Sequence, residues 1–141
     1  MPSTPKTFRT THQVKFSDLD PFAHMNTGRY ATYFVDHRMH SLDRDIGWSL
    51  KNFDSLDFLT FVRRLEVDFI RPVGVQEISI TSRVREFKGP DAFIECAMAD
   101  TNGKELARCL MIVAHVDKQT RRARDWPQAL QDLFFEDAPA A

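Results

Sequence analysis

The chain changes its hydrophobic period twice. Val14 and Phe16 alternate with polar neighbours, which predicts a strand over Thr11–Ser17. "SDLDP" breaks that strand, because Pro21 fixes its own φ and holds Asp20 out of the helical region. Apolar and aromatic residues then recur at helical spacing. Tyr30, Tyr33, Phe34, His37 and Leu42 share a stripe, and Arg29, Thr32, Asp36 and Asp43 fall on other faces. Asn26 or Thr27 is the expected N-cap and Gly47 the expected stop, for a helix running roughly from Gly28 to Asp45.

After the helix, "WSLKNFDSLDFLTF" reads as a short turn or helix leading into a strand, and a period of two returns. "RRLEVDFIRP" sets Leu65, Val67 and Phe69 against Glu66 and Asp68. "QEISITSRVREF" sets Ile78, Ile80 and Val84 against Ser79, Thr81, Arg83 and Arg85. Gly89-Pro90 is a turn. "DAFIECAMAD" and "KELARCLMIVAHVD" are joined through Asn102-Gly103, a strong hairpin signal. A two-residue turn there pairs Thr101 with Lys104 and sets Cys96 opposite Cys109, Ile94 opposite Met111 and Met98 opposite Ala107. Those six residues with Val113 make a core face. The other face (Phe93, Ala97, Leu106, Leu110 and Ile112, with Glu95 and Arg108) is also largely apolar. A sheet with one face in water alternates more cleanly, so this face is expected to be partly covered by another subunit. One strand, one long helix and four more strands make an α+β domain, with an antiparallel sheet curled around the helix.

Composition narrows the class. The 141 residues fit a single domain over 11–135, with a flexible N-terminal segment over 1–10 and a loose tail over 136–141. A net charge of -1 gives no global attraction to nucleic acid or to an anionic membrane. No apolar run approaches the roughly 20 residues of a membrane span, and the first residues lack an apolar signal core. A cytoplasmic location is therefore expected. Cys96 and Cys109 have no metal-ligand spacing and read as reduced and buried. The histidines form no zinc pattern, and no metal is expected. Twelve phenylalanines suggest an apolar pocket, an oligomer interface or both.

"FSDLDPFAHMNTGRYATYFVDHR" resembles the signature of the hotdog-fold thioesterases, the 4-hydroxybenzoyl-CoA thioesterase-like and acyl-CoA thioesterase group. Their pattern is an aspartate, a short turn, a His-apolar-Asn and a tyrosine-bearing central helix; "RRLEVDFIRPV" is similar to their second strand. The resemblance implies a hotdog fold, a five-stranded antiparallel sheet wrapped around one long central helix. It also implies a homodimer or homotetramer, with active sites at the dimer interface. The implied substrate is a thioester of CoA or acyl carrier protein, and no cofactor is needed. Asp20 matches the family's catalytic aspartate, and Thr27 the oxyanion-binding backbone N–H. His24 and Asn26 match the His-apolar-Asn. Two positions depart from the pattern: Phe22, where some plant members have a functional asparagine, and Thr27, where a second asparagine is common.

The chemistry suits these residue types. Thioester hydrolysis needs a delivered nucleophile and a home for the oxyanion, while the thiolate leaves readily. Asp20 can deprotonate a water or attack directly. The first amides of a helix lack internal partners and carry its positive end, so the backbone of Asn26, Thr27 or Gly28 can polarise the carbonyl. Tyr30 reads as core or pocket wall, Asp18 as structural, and His24 as a binding or turn residue. Arg63 and Arg64 are the expected contacts for CoA phosphates; as a surface pair they would be simply solvated. A hotdog dehydratase or hydratase using His24, and an acyl-carrier or acyl-CoA binding module without catalysis, are the alternatives.

Overall fold

A computed structural model describes residues 4–136. In chain order it contains β1 (Phe8–Gln13), α1 (Thr27–Ser41), β2 (Phe58–Phe69), β3 (Glu77–Lys88), β4 (Asp91–Ala99), β5 (Glu105–Asp117) and a short α2 (Gln128–Gln131). The five strands form one sheet in the order β1-β3-β4-β5-β2, with every neighbouring pair antiparallel.

The sheet curls around α1 until both edge strands touch the helix. From β1, Thr10 Oγ1 meets His37 Nδ1 at 2.7 Å. From β2, Thr60 Oγ1 accepts from Arg38 at 2.6 Å. Tyr30, Tyr33, Phe34 and His37 form the buried stripe of the helix, as their spacing predicts. The curl has a visible cause. Arg63 is an extra residue in β2, between Val62, paired with Val113, and Arg64, paired with Ile112. Arg85 is an extra residue in β3, between Val84, paired with Ile94, and Glu86, paired with Phe93. Phe93 pairs with Ile112, so the two bulges lie on one row across the sheet. Aligned bulges bend and twist a sheet along a common line.

The bulges also reverse the inward phase. Phe58, Thr60 and Val62 share one face, which passes to Leu65, Val67 and Phe69 beyond Arg63. This phase break hides the first half of β2 from a period-two reading. The Asn102-Gly103 hairpin differs from expectation in a related way. Asp100 N donates to Lys104 O at 2.9 Å, so the loop holds three residues, not two. Gly103 sits at φ 83 as its left-handed residue, and Asp100 Oδ1 accepts from the amides of Asn102 and Lys104. A register shift between Met98 and Ala99 restores the expected pairs Cys96–Cys109, Ile94–Met111 and Met98–Ala107.

Two boundaries are corrected. β1 begins at Phe8, not Thr11, so the first strand takes in residues 8–10. Its inward side is Phe8, Thr10 and His12, two of which are polar, so hydropathy does not reveal it. Pro5 pairs with Phe135, and Glu136 N donates to Thr4 O at 2.8 Å. Phe16 lies in a single 3-10 turn over Phe16–Asp18 and is exposed, not part of a strand. Residues 1–3 and 137–141 lie outside the described residues. At the helix end, a π-helical turn over Leu42–Ile46 prolongs α1, and Gly47 stops it at φ 86.

Candidate functional site

The segment between β1 and α1 folds as a miniature hairpin. Leu19 bridges Met25, Asp20 N donates to His24 O at 2.8 Å, and Ala23 N donates to Asp20 O at 3.0 Å. Ala23 closes the loop at φ 63, a left-handed conformation costly for a residue with a Cβ. The returning arm is pinned on both sides. Met25 N donates to Val73 O at 2.6 Å, and Asn26 N to Asp18 O at 2.8 Å. Asp-X-Asp-Pro thus forms a closed platform whose exit is the start of α1.

Asp20 sits on this platform, half-buried, and one of its carboxylate oxygens is engaged. Oδ1 accepts the amides of Phe22 at 2.9 Å and His24 at 3.2 Å. Neither bond uses Oδ2. The charge is felt nearby: Tyr30 is pushed above the usual tyrosine range by burial and by the Asp20 carboxylate. Tyr30 is buried and meets Phe69, at the end of β2, edge to face at 4.9 Å. The helix start is built as its sequence suggests. Asn26 is the N-cap; its Oδ1 accepts from Gly28 N at 3.0 Å and its carbonyl from Arg29 N at 2.9 Å. Thr27 opens the helix, and neither capping bond uses its amide.

Asp18, the other aspartate, is structural. It is buried and accepts from the Tyr33 hydroxyl and from Lys15 N at 2.9 Å, with Arg29 at 3.8 Å. Burial pushes its carboxyl up, but the Tyr33 and Lys15 bonds and Arg29 outweigh this and hold it below the usual carboxylate range. The same contact and burial push Tyr33 up to about 12.

One loop and one helical turn therefore bring together Asp20, His24, Asn26, Thr27, Gly28 and Tyr30. Within a protomer, Arg63 and Arg64 do not join them. They lie on β2 about 16–20 Å of strand away from Phe69. They are paired, Arg63 with Asp91 at 2.7 Å and Arg64 with Glu66. Each is thus engaged in a surface ion pair within the protomer.

Sequence reading missed a polar chain on the inner side of α1. Ser82 Oγ lies 2.7 Å from His37 Nε2, Thr10 Oγ1 2.7 Å from His37 Nδ1, and the same Thr10 oxygen 2.7 Å from His12 Nε2. Burial, with smaller contributions from nearby charges, lowers His37 to about 4. Among the described residues, no group of three or more His, Cys, Asp or Glu could hold a metal. Also missed was the aromatic seam of Trp126 and Phe134, both buried. "DWPQALQDLFF" carried the signal, with apolar residues three and four apart.

The fold is a hotdog fold. Solved structures of other proteins share it. The probable thioesterase YbaW from Escherichia coli has a TM-score of 0.80 at 19% identity, over 92% of this chain and 99% of that one. A hypothetical protein from Staphylococcus aureus in complex with CoA gives 0.81 at 16%, over 94% and 84%. A 1,4-dihydroxy-2-naphthoyl-CoA thioesterase from Synechocystis gives 0.80 at 17%, over 92% and 96%. No match is found among curated proteins. The model of the thioesterase-like superfamily matches residues 14–134, and the chain belongs to that superfamily. No helix of the described residues is long and apolar enough to cross a membrane.

Proposed function

We propose that the protein hydrolyses an acyl-CoA thioester to the free acid and CoA thiol. The observation that carries this is the Asp20 platform. A half-buried carboxylate, oriented by two backbone amides, stands immediately ahead of a capped helix start. Asp20 takes a proton from water as the water oxygen bonds to the thioester carbon, or attacks that carbon itself. The Thr27 amide receives the oxyanion, and such a donor typically lowers a barrier by about 2.7–4 kcal/mol. The carbon–sulfur bond then breaks and the thiolate leaves, taking up a proton to become the thiol; after direct attack, water hydrolyses the Asp20 mixed anhydride to release the acid and restore the carboxylate. These steps call only on side chains, backbone amides and water.

His24, Asn26, Gly28 and Tyr30 frame the thioester. The CoA-bound relative supports CoA as the carrier. β2 is a twelve-residue edge strand with Phe61 and Phe69 half-exposed, a surface that calls for pairing. A homodimer joined along β2 fits it, and Arg63 and Arg64 would reach CoA phosphates from across that interface. The deciding experiment is thiol release, read with a thiol-trapping dye, from short, long and aromatic acyl-CoAs. Turnover is expected with at least one class. No release from any of them, with binding retained, would instead make this a binding module.

A further inference from the structure

At the far end of α1, between the helix and the sheet, lies a narrow cavity of about 40 Å³. It is separate from the Asp20 platform: Arg38 and Ser41 line it, and Arg38 is about 16 Å along the helix from Thr27. The rest of the wall is mainly apolar, including Phe8, Trp48 and Phe134. Two buried polar atoms in this wall have no hydrogen-bond partner: Ser41 Oγ and Trp126 Nε1, from residues only 4% and 5% exposed. Folded proteins rarely leave such groups unmatched.

Arg38 adds a cation to the same wall. Its guanidinium carries five N–H bonds. The protein engages it through Nη2 to Thr60 Oγ1 at 2.6 Å and Nη1 to Met39 Sδ at 3.5 Å. Among the described residues, no carboxylate pairs with it. Burial lowers it to about 10, so it remains charged at neutral pH. Arg38 and the Trp126 indole can only donate, and Ser41 can donate. The complement to two donor-only groups, one of them cationic, is an anionic acceptor. The volume exceeds the 10–15 Å³ or so that one water needs, but it holds only a few atoms. An apolar wall favours carbon next to that acceptor.

From these orphan donors, the nearby guanidinium and the narrow apolar wall, we infer that the cavity is a binding site for the carboxylate end of a short aliphatic group. Ser41 and Trp126 donate to the carboxylate, and Arg38 balances its charge. The group is a free short-chain acid: a distal carboxylate on an acyl chain held at Thr27 would have to span about 16 Å or more, beyond the reach of a short chain. Binding itself does not depend on the hydrolytic reading above.

The test uses the two tryptophans, which give two indole N–H resonances in the 15N-labelled full chain; Trp126→Phe assigns them. Titration with propionate is expected to move the Trp126 resonance saturably. Propan-1-ol, propylammonium and sodium chloride should leave it in place. Arg38→Gln should weaken propionate binding at least tenfold, and Ser41→Ala several-fold, with the spread of amide resonances reporting the fold. A static Trp126 signal, an equal response to propan-1-ol, or propionate-soaked crystals holding only water in the cavity would overturn the inference. A protein inactive on every thioester would still show the indole response.

Discussion

Tyr33, on the second turn of α1, donates its hydroxyl to Asp18, buried in the turn after β1. The bond closes the ring that holds the Asp20 platform against the helix start. Asp18 O also accepts the Asn26 amide, so side chain and main chain tie the same two elements.

Tyr33→Phe should therefore cost about 1–3 kcal/mol, since it leaves a buried carboxylate short of one donor. The denaturation midpoint in urea reads this loss. Because the platform is tied through Asp18, thioester turnover should fall as well. An unchanged midpoint would remove the tie.

Asp20→Asn separates charge from architecture. An asparagine Oδ1 can still accept from Phe22 and His24, so the turn and the stability should persist. Turnover should drop at least about 10²-fold, the scale of a lost general base. Asp20→Ala should lose both the rate and part of the loop's order. Near-wild-type thiol release by Asp20→Asn would take Asp20 out of the reaction.

Gly28→Ala probes the helix start. An added Cβ meets only Asn26 Oδ1, at 3.6 Å, an ordinary contact. Alanine is the better helix former, so stability should hold or rise by up to about 1 kcal/mol. If the thioester lies against bare backbone here, kcat/KM should fall nonetheless. Thermal melting and kinetics together distinguish the outcomes.

Acid should destabilise the fold through His37. Its folded pKa is about 4, below the unfolded 6.5, so the unfolded chain binds more protons between those values. Its contribution is full above about pH 6.5 and is lost as pH falls toward 4. The loss is of order 3 kcal/mol. Asp18 acts in the same direction but lower, as pH falls through its depressed folded pKa. Urea unfolding at pH 7.5 and 5 measures the first window. His37→Gln, itself less stable, should show a flatter dependence there.

The platform was legible because its parts are local. Asp20, Pro21, Asn26 and Gly28 act through bonds spanning a few residues, which turn and capping rules describe. β4 and β5 were legible for the same reason: an Asn-Gly turn places their partners close in sequence, even with one loop residue more than expected. The start of β1 and the first half of β2 were not. Thr10 and His12 face inward on hydrogen bonds, and the bulge at Arg63 reverses the alternation midway.

Local pattern along the chain sets the order of elements, the helix stripe, the core face of the last hairpin and the loop that carries Asp20. Only folding brings Thr10, His37 and Ser82 into one hydrogen-bonded chain. Folding also pairs Arg63 with Asp91 across the sheet and sets Arg38, Ser41 and Trp126 around one cavity. Local periodicity records which side of an element is apolar. Which distant polar groups meet is fixed by the curl of the sheet, and that curl depends on bulges and closure across the whole domain.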